Sequence, residues 1–149
     1  MSKSLPDYNQ EQSYRTIRIN STLQDAKLPE AEILSDVRRY GYCEEAEFAI
    51  KLALEEAMTN AVKHGNGNDA SKQITVRFDV DADRAVIIVR DQGRGFDPDK
   101  VPDPTANDRL ALPEGRGIML MRAYVDVIEF RDNGCEVYMM KRNKLKVEG

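Results

Sequence analysis

The sequence predicts an α+β fold: a two-layer α/β sandwich with one mixed, mostly antiparallel sheet and helices on one face. Three observations point there. Segments with a two-residue apolar period come in pairs joined by short polar turns, which is how antiparallel neighbours are linked. Three other segments carry helical spacing or helix punctuation. The chain has 149 residues, enough for one core and cramped for two.

Tyr14 to Asn20 opens the pattern. Arg15, Ile17 and Ile19 face one way and Tyr14, Thr16, Arg18 and Asn20 the other, as in an edge strand. A helix follows from about Leu23 to Tyr40, capped by Ser21 or Thr22 or starting near Pro29, with Gly41 as its stop. Glu44 to His64 is the strongest helical segment. Ile50, Leu54, Met58, Ala61 and Val62 gather on one side, Glu56 and Asn60 lie nearly opposite, and Gly65 ends the run. Residues 66–71 (NGNDAS) read as a turn, and QITVRFDV and RAVIIVRD as two strands of a hairpin around DADR.

Residues 92–114 hold Gly93, Gly95, Pro98, Pro102, Pro104 and Pro113, too long a loop for a hairpin and of the kind that carries function. Gly117 to Tyr124 is a short helix. VDVIEFRD and CEVYMMKR form a last strand pair around a two-residue Asn133-Gly134 turn. Residues 1–13 read as a flexible polar leader, 14–142 as a single domain and 143–149 as a frayed tail.

Composition excludes some partners. Apolar residues make up 41% and charged residues 32%, and 22 basic against 26 acidic residues give a net charge of −4. A broad basic grip on nucleic acid or an anionic membrane is therefore not expected. No apolar run approaches the roughly 20 residues that span a bilayer, and the start has no apolar signal core, so a cytoplasmic location is expected. Cys43 and Cys135 lack metal-ligand spacing and read as two reduced, partly buried thiols.

Three motifs carry chemistry. Glu56 and Asn60 are one helical turn apart, so their side chains are neighbours. An amide oxygen suits magnesium, which prefers hard oxygen ligands and keeps several waters. A carboxylate beside it can take a proton from an attacking hydroxyl. The same spacing also occurs on ordinary solvated helix faces. Asp91 leaves the AVIIV run at a strand end, with Gly93 and Gly95 after it. As an acceptor, it matches the exocyclic amine of a purine in an apolar slot, although D-x-G-x-G also describes a plain Asx turn. Gly115-Arg116-Gly117-Ile118 opens a helix whose free N–H groups would attract phosphate, or it is a flexible loop-to-helix junction. Arg109 and Arg116 are candidate phosphate partners. His64 is best placed as a helix-end residue with no catalytic role.

Taken together, EAMTNAVKHG (56–65), DQGRG (91–95) and GRGIML (115–120) resemble the three boxes of the ATPase superfamily shared by DNA gyrase, the heat-shock chaperones, MutL and sensor histidine kinases. The short form and the EAxxNAxxHG wording are most similar to bacterial serine-protein kinases that act as anti-sigma factors. The resemblance runs from about residue 14 to 141 and implies the Bergerat ATP-binding fold with ATP and magnesium as cofactors. It makes Glu56 the catalytic base, Asn60 the metal ligand and Asp91 the adenine contact. Gly93, Gly95, Gly115 and Gly117 would shape the pocket, and residues 96–114 would form an ATP lid.

It further implies homodimerisation, for which the exposed face of the first helix and the edge strand 14–20 are available. It implies phosphorylation of a serine on a small STAS-type antagonist, and control of a sigma factor by partner switching. Some members carry a basic residue just before the second glycine box. Here Pro113-Glu114 stands in that place, so the γ-phosphate falls to Arg109 or Arg116. The alternative reading is a binding switch that uses ATP to set its shape without phosphorylating anything.

Overall fold

The computed structural model describes residues 14–93 and 113–143. The leader, Gly95, Arg109, the lid up to residue 112 and the tail from 144 lie outside the described residues. Of 113–118 it is the helical backbone that is described.

Five strands form one sheet: β1 (Arg15–Asn20), β2 (Gln73–Val80), β3 (Arg84–Arg90), β4 (Val127–Arg131) and β5 (Glu136–Arg142), in the order β1-β2-β3-β5-β4. Every described pairing is antiparallel, which corrects the expectation of a mixed sheet. Short links between β2 and β3 and between β4 and β5 allow no other direction. As expected, β1 lies at an edge. β2 alternates, burying Ile74, Val76, Phe78 and Val80, whereas central β3 buries Ala85 through Val89 on both faces. The β2–β3 hairpin is tied by Asp81, whose carboxylate accepts from the N–H groups of Asp83 (2.8 Å) and Arg84 (2.9 Å).

Three α-helices cover one face: α1 (Lys27–Arg39), α2 (Glu44–Thr59) and α3 (Pro113–Tyr124). Ile33, Leu34 and Val37 of α1 and Ile50, Ala53, Leu54, Ala57 and Met58 of α2 share a core with Val76, Phe78, Ile87, Val89, Val137 and Met139 of the sheet. Each large aliphatic side chain buried there contributes about 1.5–3 kcal/mol. The other face carries its own buried strip of Tyr14, Val86, Ile88, Tyr138 and Met140, to which no helix contributes. Ion pairs Arg77–Glu136 (3.8 Å), Arg84–Asp79 (3.4 Å) and Arg90–Glu136 (3.3 Å) lie on that same face.

Several boundaries differ from the sequence reading. α1 begins at Lys27 after Ala26, which provides no side-chain cap. Thr22 instead accepts from the Asp25 N–H (3.0 Å) in a preceding turn, and Pro29 falls in the first helical turn. Gly41, at φ 76°, terminates α1 as read. α3 begins at Pro113, four residues earlier than expected, because proline is preorganised for a first helical position. The last two residues of the expected lid are thus helical. The β4–β5 link is not a two-residue turn but runs through residues 132–135. Asp132 (φ 52°), Asn133 (φ 58°) and Gly134 (φ 90°) are successively left-handed before Cys135. Both cysteines are free and half-buried, as read.

Candidate functional site

The α2 run does not stay α-helical to His64. From Asn60 to Gly65 it widens into a π-turn, closed by the Asn66 N–H on the Ala61 carbonyl (2.8 Å). Such widenings concentrate at functional sites because they re-aim side chains against the regular helical period. The junction falls at Asn60, whose N–H still reaches the carbonyls of Glu56 and Ala57. Glu56 and Asn60 therefore share one turn, as the spacing required.

Asn60 is not on a solvated face. It is 8% exposed and lines a cavity with Ala57, Ala61, Asp91, Met121 and Cys135. Its Nδ2 is buried without a hydrogen-bond partner among the described residues. An unpaired buried amide costs about 1–3 kcal/mol, so Asn60 keeps a hydrogen-bond donor for what enters the cavity. Glu56, one turn earlier on α2, is half-buried and does not line the cavity. Burial first, and the neighbouring Glu55 second, push its carboxyl above the usual range, opposed by Lys63.

Asp91 stands at the end of β3 and is 7% exposed. Its N–H donates to the Cys135 carbonyl (2.9 Å), and its Oδ1 accepts from the Gly93 N–H (2.9 Å). The Cys135 thiol donates to the Gly93 carbonyl (3.2 Å) and lies beside the Asp91 carboxylate. Burial raises the Asp91 carboxyl, while the Gly93 N–H and then the Cys135 thiol pull it back. Two glycines make this packing possible. A Cβ on Gly65 would fall inside the Asp91 carboxylate, and one on Gly93 would fall on the Gly65 carbonyl. The end of the π-turn and the D-x-G turn are thus pressed together with no room for a methyl group.

Three contributors escaped the sequence reading. Gly65 was assigned as a helix stop, but its missing side chain is the space that Asp91 occupies. Asn66, placed in a turn, is 2% exposed and clamps four segments. Its Nδ2 donates to Ser21 Oγ (3.0 Å) and the Gln73 carbonyl (3.1 Å), and its Oδ1 accepts from the Gln92 N–H (2.8 Å). Cys135 forms part of the cavity wall. The available signal was the continuity of H-G-N after Asn60, where two turn-forming residues directly follow the motif helix.

Asn60 and Asp91 thus meet at one cavity, with Gly93 beside them. Gly115, Arg116 and Gly117 lie in the first two turns of α3. The earlier helix start leaves Glu114 and Gly115 as N–H groups without an intrahelical acceptor, and gives the Arg116 and Gly117 N–H groups intrahelical partners. Gly95 and Arg109 lie outside the described residues.

The donor set fits a magnesium nucleotide. The walls Ala57, Ala61, Val89, Met121 and Val137 are apolar, one carboxylate and one amide face inward, and neither glycine can bear a side chain. No group of three His, Cys, Asp or Glu forms a metal cluster among the described residues, so a metal here would rest mainly on non-protein ligands. The enclosed volume is about 10 Å³, near that of one water. A purine requires the walls to part, and Met121 is the wall side chain with most rotamer freedom.

Fold and cavity define an α+β protein with a small cavity between two helices, α2 and α3, and the end of β3 in the sheet. The comparisons with known proteins make the class specific. The chain matches the histidine kinase-like ATPase domain over residues 20–141 and belongs to that family. Family membership implies use of ATP.

The chain is 40% identical over 112 residues to the serine-protein kinase RsbW of Bacillus pumilus and 34% identical to that of Bacillus subtilis, covering 69% of each chain in both cases. It is 31% identical over 98 residues to the anti-sigma F factor of Clostridium perfringens, covering 62% of this chain and 70% of the relative. Among solved structures it resembles that of the RsbU and RsbW domains of Rv1364c from Mycobacterium tuberculosis. The TM-score is 0.52 at 18% identity, over 87% of this chain and 32% of the longer one. That likeness supports the fold. Among the described residues no helix is long and apolar enough to cross a membrane.

Proposed function

We propose that this protein is a magnesium- and ATP-dependent serine/threonine kinase that phosphorylates a small STAS-type antagonist and acts as an anti-sigma factor by partner switching. The observation that supports the reading is one cavity lined by both the buried Asn60 amide, whose Nδ2 has no partner among the described residues, and the buried Asp91 carboxylate. The relatives named serine-protein kinase and anti-sigma F factor support it.

Magnesium ATP, when bound, supplies the transferable γ-phosphoryl group and the charge neutralisation its transfer needs. Asp91 accepts a hydrogen bond from the adenine amine, and the apolar walls exclude water from the ring. Asn60 offers its amide oxygen to the metal. Glu56, its proton affinity raised by burial, takes the proton of the partner's serine hydroxyl. Glu114 and Gly115 would present backbone N–H groups to phosphate, Arg109 and Arg116 would add charge, and residues 96–112 would form the lid. Gly93, Gly95 and Gly117 keep Cβ atoms away from it. The protein works in the cytoplasm as a homodimer, holds a sigma factor in the partner switch, and contacts no nucleic acid directly.

The test is to incubate the purified protein with γ-labelled ATP, magnesium and a STAS-type protein from the same cell. Label on a serine of that protein is expected, and Glu56→Gln should abolish it while ATP still binds. Tight ATP binding with a co-purifying sigma factor and no phosphotransfer would instead establish a binding switch.

A further inference from the structure

We propose that Cys135 is a thiol modification site at the base end of the pocket. A low-molecular-weight disulfide exchanges with its sulfur, and the mixed disulfide and a bound nucleotide exclude one another. The inference rests on the reading of the cavity as a nucleotide site and adds a covalent control to it.

Cys135 is half-buried and lines the cavity together with Asn60 and Asp91. The Nδ2 of Asn60, without a partner among the described residues and in a side chain only 8% exposed, independently points to a ligand in this cavity. The thiol is also held in place. Three successive left-handed residues, 132–134, turn the chain so that Cys135 meets Asp91 through its carbonyl and Gly93 through its sulfur. Arg90 braces both sides of that turn, pairing with Asp132 (2.5 Å) and Glu136 (3.3 Å).

With about 10 Å³ enclosed, even a small group on this sulfur fills the space beside Asp91. Cys43 provides a contrast within the same chain. Its sulfur caps α2 by accepting from the Ala46 N–H (3.4 Å), and it does not line the cavity.

The Cys135 thiol gives up its proton and its sulfur attacks one sulfur of the reagent. A new S–S bond forms, the old one breaks, and the second half of the reagent leaves as a thiolate that takes up a proton. Cys135 is oxidised and half of the reagent is reduced. Burial, and then the Asp91 carboxylate, hold the thiol protonated, so exchange is slower than for a free thiol and occurs on opening of the pocket.

The test treats the full chain with 2-hydroxyethyl disulfide, with and without saturating magnesium ATP. Peptide mass spectrometry follows Cys135 and Cys43 separately, and calorimetry measures ATP affinity before treatment, after it and after reduction. ATP at 100 times its Kd should slow modification of Cys135 to about one part in a hundred of its free rate, with Cys43 unaffected. The modified protein should bind ATP about tenfold or more weakly, and dithiothreitol should restore it. Cys43→Ser should retain both effects, and whatever affinity Cys135→Ala keeps should be insensitive to the reagent.

Modification of Cys135 at the same rate with and without ATP overturns the inference, as does unchanged affinity after modification, or a Cys135 that never reacts. If the untreated protein fails to bind ATP in the same calorimeter, the nucleotide reading itself falls, and this inference with it.

Discussion

The two ends of the cavity are built on opposite terms. At the base end, Asp91, Gly93, Gly65 and Cys135 satisfy one another, with carboxylate on N–H, thiol on carbonyl, and no space for a methyl group. At the other end, Asn60 lines the cavity with an Nδ2 that has no partner among the described residues, and Glu56, one turn before it on α2, carries a carboxyl raised by burial. The closed end is complete among the described residues, whereas the open end keeps polar groups to spare. On the proposed reading, the closed end would fix where a base sits, and the open end would serve a metal, a phosphate and a proton.

The largest effect is expected at the open end. Glu56→Gln should lower phosphotransfer by about 10²–10⁴-fold, as loss of a general base does, with ATP affinity nearly unchanged in a filter-binding assay. Loss of binding along with transfer would move Glu56 into the recognition apparatus and erase the contrast.

Gly93→Ala attacks the closed end. Its Cβ meets the Gly65 backbone carbonyl, not a movable side-chain tip, so about 3 kcal/mol of stability should be lost in a urea melt. A neutral result would show the base end to be softer than described.

Asp91→Asn keeps the shape and removes the charge. ATP affinity should fall by about 1.5–3 kcal/mol, the worth of a hydrogen bond to a charged acceptor. Stability without ligand should hold or rise at neutral pH. The folded-state pKa of Asp91 lies above its ordinary 3.8, so this group's contribution to stability is full below that value and is lost as pH rises through the folded value. Affinity should follow the opposite course in the parent protein, weakening as pH falls through the raised Asp91 value and the acceptor is protonated. In the variant this dependence should vanish, which calorimetry across pH checks.

The smallest change in stability is expected for Asn60→Ala. Removing an amide atom that has no partner among the described residues should alter the unfolding free energy of the free protein, read from a urea melt, by about 1 kcal/mol or less, while magnesium-dependent ATP binding disappears. A large loss of stability would mean that Asn60 is structural.

How much the sequence revealed depends on how local each feature is. The β2–β3 hairpin, the edge position of β1 and the helix from Glu44 follow from period and punctuation, because neighbours along the chain decide them. Glu56 and Asn60 were legible for the same reason, since one helical turn brings them together whatever surrounds it. The π-turn was not, because it arises where Gly65 packs against Asp91, 26 residues further on. Asn66 clamps partners up to 45 residues away, and no local pattern announces that. Asn133-Gly134 signalled a turn correctly, yet the left-handed Asp132 and the placement of Cys135 depend on Arg90 across the sheet. Burial of Asn60 was missed because helical period alone shows a face and not what packs on it.

A crystal structure with magnesium and a non-hydrolysable ATP analogue tests the central claim most directly. The account predicts an adenine amine on the Asp91 carboxylate, the metal on the Asn60 side-chain oxygen and the γ-phosphate toward Glu56, with Met121 displaced to admit the ring. An analogue bound away from this cavity, or a cavity that stays closed at saturating analogue, would contradict it.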